Sequence, residues 1–225
     1  PQRFGQAFAS GQRVGAEILS VDSMQVYRGM DIGTAKATLS DRELVRHHMI
    51  DIAEPEEPFT VARFRRVARQ AIEQSSADVI LIVGGSGLHF RSVVDPMVFR
   101  PFDPQVRAAI EQRTVEDLIG ELEAADPDAS RYIDFSNPRR VRRAVEALRV
   151  GGVTPSALAV TEEHRRFEEY RPELPFVGFG IDTEDIDQRV VDRLAAMRGA
   201  GFLEEVERLA PRLGPTAVQA VGYRQ

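Results

Sequence analysis

Two short apolar runs constrain the fold of this chain more than any other feature of its sequence. The first, Ala16 to Asp22, ends in a carboxylate, and the second, Ala77 to Phe90, breaks at Gly84-Gly85 and is predicted to restart as a helix. Runs of this length are typical of buried parallel strands. Between them, Phe59 to Gln74 has the apolar spacing of a helix that Thr60 can cap. This order predicts an α/β protein with an open parallel sheet flanked by helices.

The middle of the chain has a different character. Between Pro104 and Arg149 there is no strand-like run, only helical stretches interrupted at Asp126-Pro127 and Asn137-Pro138. We therefore predict an α/β core made of residues 1–103 and 137–225, with a small all-helical insertion at residues 104–136.

After this region the strand pattern returns. The apolar run from Pro175 to Asp182 predicts a third strand. Two helices are predicted to follow, from Asp185 to Gly199 and from Gly201 to Leu209, with the glycines as the break between them.

Composition excludes several classes of protein. The 225 residues contain no cysteine, which excludes disulfides and thiolate chemistry. The formal net charge of −6 argues against non-specific coating of nucleic acid, although a local arginine cluster could still form one such site. No apolar run approaches the roughly 20 residues that span a bilayer. A cytoplasmic protein without membrane partners is the prediction.

Two candidate sites follow from the predicted sheet, because ligands of such sheets bind beyond the carboxyl ends of the strands. Asp22, followed by Ser23 and Gln25, can accept a proton or ligate a metal, and the alternative is a turn cap. The turn from Gly84 to Gly87 can present backbone N–H groups to an anion, with Ser86 adding a hydroxyl. Glycine turns at strand ends also occur for packing reasons, so both interpretations of this turn stay open.

A third candidate is an arginine-rich helix that Asn137 can cap. Its first turns carry Arg139, Arg140, Arg142 and Arg143. The helix dipole disfavours cations there, which indicates anionic partners, either phosphates or acids of the neighbouring segment. A solvated, salt-bridged face is the alternative.

Metal ligands are not evident. The adjacent His47 and His48 lack a ligand at i+4 and are predicted to be structural. No G-x-x-x-x-G-K-[ST] motif is present. Residue type and spacing alone indicate an α/β enzyme that handles nucleotides or phosphates.

DSMQVYRGMDIGTAK, Asp22 to Lys36, resembles the signature of the tRNA dimethylallyltransferases, also called tRNA isopentenyltransferases. Further similar segments follow in that family's order: HHMID (47–51), FTVARFRRVA (59–68), VGGSGLHF (83–90), DPQVR (103–107), DPDAS (126–130), NPRRVRRAVEAL (137–148) and VGYRQ (221–225). The resemblance implies a P-loop-kinase-like α/β core with a helical insertion that faces tRNA.

The resemblance also implies an activity. A dimethylallyl group passes from its diphosphate to the exocyclic N6 amine of an adenosine adjacent to the anticodon, with Mg²⁺ as cofactor. An aromatic amine is a poor nucleophile, so a carboxylate base is needed, and Asp22 matches it. The leaving diphosphate needs its charge neutralised, and Ser86 lies in the matching segment. The implied partners are the tRNA anticodon stem-loop and dimethylallyl diphosphate, and we expect a monomer.

By motif match, the residues expected to contact tRNA are Asp22, Ser23, Met24, Gln25, Arg139, Arg140, Val141, Arg142, Arg143, Gly222, Tyr223 and Arg224. Of these, Ser23 and Gln25 are expected to line the pocket of the acceptor adenosine. Those expected at the diphosphate are Ser86 and Arg143. The resemblance identifies no metal ligands.

Some positions depart from the family pattern. Ser86 and His89 stand where threonine and tyrosine are usual, and Gly151-Gly152-Val153 replaces a Thr-Gly pair. The P-loop expected before Pro1 and the helices expected after Gln225 are missing. We therefore expect a fragment that is inactive by itself.

Two alternatives to the tRNA enzyme stay open. One is an adenylate isopentenyltransferase that makes cytokinins, and the other is an inactive tRNA-binding relative without the P-loop. The arginine cluster and the insertion favour tRNA over a mononucleotide, which needs neither.

Overall fold

The computed structural model describes residues 15–180 and 185–223. In chain order the elements are β1 (Ala16–Ser20), α1 (Leu39–Leu44), β2 (His47–His48), α2 (Val61–Gln74), β3 (Val79–Val83), α3 (Gly87–Val94), α4 (Pro104–Glu111), α5 (Val115–Ala125), α6 (Pro138–Gly151), α7 (Pro155–Ala159), α8 (Glu162–Glu168), α9 (Ile186–Gly199) and α10 (Phe202–Leu209). The chain divides into an α/β unit, residues 1–93 and 176–225, and a helical unit, residues 94–175.

In its described part, the α/β unit is organised by a parallel sheet of three strands in the order β2-β1-β3. Ser20 at the end of β1 is opposite Val83 at the end of β3, so both strands end at the same edge. Leu19 in the central strand is completely buried. The two apolar runs of the sequence thus form neighbouring parallel strands, as predicted.

Helix α2 lies between the two apolar strands in chain order and directly precedes β3. The Thr60 hydroxyl accepts a hydrogen bond from the N–H of Arg63 at 3.2 Å, which caps the helix as predicted. Its apolar face buries Phe64, whose ring packs edge-on against Phe59 and His89 at centroid distances of 6.4 and 4.6 Å. The predicted strand–helix–strand unit is therefore confirmed.

The third predicted strand is wrong over its described part. Residues 175–180 have no strand conformation, and Asp182 lies outside the described residues. Val177 and Phe179 are 80% and 88% exposed, because no neighbouring strand among the described residues covers them. The two helices predicted after this run are confirmed as α9 and α10, separated by Gly201 with φ +94°.

The helical unit has its own hydrophobic core. Helices α4, α5 and α6 enclose a cluster that contains Ile110, Leu118, Leu122, Ala129, Ile133, Val141, Ala144 and Val145. Helix α6 supplies three of these side chains and therefore belongs to the same compact body as α4 and α5. For this reason the unit spans residues 94–175, wider than the insertion predicted at 104–136. No helix in either described range is long and apolar enough to cross a membrane.

Candidate active site

Asp22 lies just beyond the carboxyl end of β1 and is half-buried. Its Oδ1 atom accepts hydrogen bonds from the N–H groups of Met24 at 2.8 Å and Gln25 at 3.3 Å. Oδ2 has no hydrogen-bond partner within residues 15–180 and 185–223. The two interpretations of this residue are therefore compatible, because one oxygen caps the turn and the other can take a proton or a ligand.

The glycine turn after β3 lies directly against the chain at Asp22. The Ser86 N–H donates to the Val21 carbonyl at 3.4 Å. A Cβ atom on Gly84 would be only 2.6 Å from that same carbonyl oxygen, so the close approach requires glycine. The packing interpretation of this turn is therefore confirmed, and the turn also brings Ser86 beside the Asp22 segment. Anion binding by the turn stays a prediction.

Ser86 forms a pair with His89. The Ser86 hydroxyl and Nδ1 of His89 are 2.7 Å apart, and the imidazole is buried against the Phe64 ring. Burial lowers the pKa of His89, and the opposing influence of the Asp22 charge does not cancel this effect. Around neutral pH the imidazole is therefore uncharged. Sequence reasoning noted His89 only as a departure from the family pattern and missed this contact.

Both polar atoms of the Gln25 side-chain amide form hydrogen bonds. The Ser20 hydroxyl donates to its Oε1 at 2.9 Å, and its Nε2 donates to the Thr34 carbonyl at 3.1 Å. Ser23 and Met24, the other predicted residues of this segment, are half-buried. The predicted adenosine-pocket segment is thus tied to the loop that follows it.

Lys36, the last residue of the opening segment, is structural. Its Nζ lies 2.7 Å from Asp31 Oδ1, 2.6 Å from Asp51 Oδ1 and 2.7 Å from the Tyr27 carbonyl, and its side chain is 1% exposed. Burial alone would raise the pKa of Asp51, but Lys36 and Arg42 outweigh it and lower the pKa. The lysine thus links two segments that resemble the family, through contacts that the sequence did not predict.

Gly222 and Tyr223, predicted to contact tRNA, pack inside the α/β unit. The buried Tyr223 ring lies edge-on to Phe202 at 5.5 Å, and its hydroxyl donates to Glu205. Burial, reinforced by the Glu205 charge, raises the pKa of Tyr223. Gly222 has φ +88°, and a Cβ there would lie 2.8 Å from Phe202. Arg224 lies outside the described residues.

The arginines of α6 fall into two groups. Arg139 and Arg140 are exposed at its first turn, behind the predicted Asn137 cap, whose Oδ1 accepts their N–H groups. Arg142 and Arg143 are half-buried, and the side chain of Val141 is entirely inside the helical core.

Arg143 is committed to contacts within the helical unit. Its guanidinium donates to Glu146 and to the carbonyls of Pro101 at 3.3 Å and Arg100 at 2.9 Å. Glu146 is 2% exposed and also accepts from Arg107 at 2.8 Å. Burial alone would raise the pKa of Glu146, but the two arginines lower it. For Arg143, therefore, the acidic partner is Glu146 of the same helix, not an acid of the neighbouring segment as the sequence indicated.

A cavity of about 550 Å³ opens beside these arginines. Its lining residues are Arg107, Ile110, Glu111, Arg139, Arg142, Arg143 and Glu146. The Nε atom of Arg142 and the Oε1 atom of Glu146 are buried, and neither has a hydrogen-bond partner among the described residues. The cavity is therefore polar and positively charged on balance.

The two adjacent histidines have structural partners. His48 Nε2 is 2.6 Å from Glu17 Oε2, and His47 Nδ1 is 2.7 Å from the Val45 carbonyl. The described parts of the chain contain no cluster of three or more His, Asp or Glu side chains that could hold a metal ion. These contacts agree with the structural interpretation of both histidines.

Comparison with known proteins identifies the family. A family model described as IPP transferase matches residues 25–225. The chain belongs to the IPP transferase family. The tRNA dimethylallyltransferase of Bifidobacterium longum subsp. infantis is 43% identical to it over 224 residues. That alignment covers 96% of this chain and 65% of the relative, so this IPP transferase chain spans about two thirds of the length of that relative.

Solved structures agree on the fold of this IPP transferase. The tRNA Δ2-isopentenylpyrophosphate transferase of Staphylococcus epidermidis is 28% identical with a TM-score of 0.61, over 96% of this chain and 73% of that one. A eukaryotic dimethylallyltransferase acting on tRNA is 24% identical with a TM-score of 0.69, over 90% and 51%. At that identity the second structure supports the α/β fold alone.

Proposed function

We propose that this protein transfers a dimethylallyl group from dimethylallyl diphosphate to the exocyclic N6 amine of an adenosine adjacent to the anticodon of a tRNA. One observation carries the proposal within the chain. Asp22 keeps one carboxylate oxygen unpaired among the described residues, at the sheet edge where the glycine turn brings Ser86 alongside. The names of the relatives support the same reaction.

Asp22 acts as the general base in this proposal. The N6 lone pair attacks the allylic carbon, the bond from that carbon to the diphosphate oxygen breaks, and the N6 proton passes to Oδ2 of Asp22. The two N–H groups on Oδ1 hold the carboxylate in one orientation. A positioned base of this kind contributes about 10²–10⁴ in rate.

Ser86 is the proposed protein group at the diphosphate. Mg²⁺ is commonly held by one or two protein oxygens together with substrate phosphates, so the absence of a three-ligand cluster in the described residues fits this mode. The Ser86 hydroxyl is the oxygen that we propose to hold it, and the ion supplies charge neutralisation when bound. Arg143 stays a predicted diphosphate ligand, although it would have to exchange hydrogen bonds within the helical unit.

The remaining parts of the proposal concern the whole protein. We propose a P-loop-kinase-like core, a helical unit that faces tRNA, and a cytoplasmic monomer. The exposed Arg139 and Arg140 support the second point, because surface arginines can pair with RNA phosphates. Adenylate prenylation and inactive tRNA binding are not favoured, because the relatives are named tRNA dimethylallyltransferases.

A transfer assay with the full-length protein tests the proposal. Labelled dimethylallyl diphosphate is offered with an anticodon stem-loop or with AMP, each with Mg²⁺ and with EDTA. Label on the stem-loop adenosine, dependent on Mg²⁺, is the expected result. Label on AMP would identify a cytokinin-forming enzyme, and stem-loop binding without transfer would identify an inactive binder.

A further inference from the structure

Glu205 on α10 is a buried carboxylate whose hydrogen bonds converge from one short loop. We call residues Asp31–Thr34 the DIGT loop. Oε2 of Glu205 accepts the N–H groups of Asp31 at 3.0 Å and Ile32 at 2.9 Å. Oε1 accepts those of Ile32 and Gly33, both at 3.1 Å, and also the Tyr223 hydroxyl. The residue is 5% exposed, so these partners replace water almost entirely.

The loop conformation depends on this carboxylate. Successive backbone N–H groups that point to one centre form an anion-binding concavity, and buried donors are costly when unpaired. Burial alone would raise the pKa of Glu205, but the hydrogen bonds outweigh it and keep the pKa below its ordinary value. The loop is also tightly packed, because a Cβ on Gly33 would lie 2.5 Å from the rings of Phe202 and Tyr223.

The same loop holds the side chain of Gln25. Thr34 follows directly after the three N–H groups that Glu205 accepts, and its carbonyl takes the Gln25 Nε2 hydrogen bond at 3.1 Å. The Thr34 hydroxyl donates to the Met30 carbonyl at 2.6 Å, which closes the loop on itself. A shift of the DIGT loop would therefore release one end of the Gln25 amide.

We propose that Glu205 is a positioning residue that sets the orientation of Gln25 through the DIGT loop, and thereby the fit of the acceptor adenosine. The inference rests on the proposed function, because that reaction needs an acceptor adenosine and the family resemblance places Gln25 in the adenosine pocket. Glu205 itself contacts neither substrate. Its effect is specific to the tRNA substrate, since Gln25 is not assigned to the diphosphate.

Glu205→Gln in the full-length protein tests this role. The substitution keeps the shape but turns an NH₂ group toward backbone donors, so the loop has to move. We expect KM for the anticodon stem-loop to rise about tenfold or more, as for loss of a charged hydrogen bond. KM for dimethylallyl diphosphate should stay within about twofold. The matched control is Glu204→Gln, an exposed position on the same helix, for which both KM values should remain as in the wild type.

A double-mutant cycle with Gln25→Ala separates positioning from simple structural support. If Glu205 acts through Gln25, the double variant costs no more than the larger single variant. Additive losses, or equal rises in both KM values, would overturn the inference. If Glu205→Gln does not fold, Glu205→Asp keeps the charge with a shorter reach, and the same split in KM, smaller in size, is expected. Absence of transfer in the wild type overturns the proposed function, whereas an active wild type with an unchanged Glu205→Gln variant overturns this inference alone.

Discussion

Two carboxylates of the α/β unit accept backbone N–H groups, yet they are suited to different tasks. Asp22 uses Oδ1 for two N–H groups and keeps Oδ2 without a partner in the described chain, and its side chain is half-buried. Glu205 uses both oxygens, accepts N–H groups from three consecutive residues and a tyrosine hydroxyl, and is 5% exposed.

The difference shows that a carboxylate can be suited either to taking up a proton or to anchoring a loop, depending on how many of its oxygens accept hydrogen bonds. A carboxylate with every lone pair engaged in a buried site is a fixed anchor, because taking up a proton would break its hydrogen bonds. A carboxylate oriented by one oxygen can take a proton on the other. The arginines of α6 show a related division, with Arg143 paired to the buried Glu146 and Arg139 exposed to solvent.

The largest effect is expected at Asp22. Asp22→Ala should lower the rate of transfer by about 10²–10⁴ while the affinity for the stem-loop stays within a few-fold, because the base is lost and the binding surface is kept. Single-turnover transfer and filter binding measure the two quantities. Asp78→Ala, an exposed aspartate just before β3, is the control and should be fully active. Near-normal turnover of Asp22→Ala would contradict the assignment of Asp22 as the general base.

Replacing Glu205 should lower the free energy of unfolding. Glu205→Ala leaves three buried N–H groups without their acceptor, so we expect the free energy of unfolding to fall by roughly 3 kcal/mol. Urea denaturation followed by circular dichroism measures this change. The neighbouring Glu204→Ala should stay within about 0.5 kcal/mol of the wild type. Equal losses in the two variants would mean that the buried hydrogen bonds contribute little.

The arginine comparison can be tested with salt. If Arg139 and Arg140 pair with RNA phosphates, replacing both by Ala should flatten the slope of log K against log salt by about one to two units. Arg143→Ala should instead lower the free energy of unfolding by about 1–3 kcal/mol, because Glu146 loses one of its cations. Filter-binding titrations at several salt concentrations, with parallel urea melts, separate the effects. An unchanged slope in the double variant would mean that these two arginines do not contact RNA.

The smallest effect concerns pH and His89. Because its pKa is lower in the folded chain than in the unfolded one, the unfolded chain binds more protons in mildly acidic solution. The stability that this residue contributes is therefore fully present above the unfolded pKa, about 6.5, and is lost as the pH falls toward the lower folded value. His89→Phe keeps a ring beside Phe64 but removes the titration. Its unfolding free energy should fall less between pH 7.5 and 5.5 than that of the wild type, and an equal fall would contradict a buried, neutral imidazole.

What the sequence determined by itself lies in its local patterns. The runs that became β1 and β3, the Thr60 cap of α2 and the Asn137 cap of α6 each depend on residues a few positions apart. Because these two strands were predicted to be parallel, their carboxyl ends were expected at the same edge of the sheet. That expectation placed Asp22 near the turn that contains Ser86. The limit of such patterns is visible at residues 175–180, where an apolar run has no neighbouring strand among the described residues and remains exposed.

Only the tertiary structure decided which polar groups are engaged and which are available. Glu205 and Asp31 are 174 positions apart, and Lys36 and Asp51 are 15 apart, so no local periodicity connects either pair. The division of α6 into exposed and committed arginines likewise depends on Glu146 being buried, which the core formed with α4 and α5 imposes. The physical reason is that a hydrogen bond requires its donor and acceptor to be close in space, whatever their separation along the chain. The partners of a polar group are therefore known only from the folded structure.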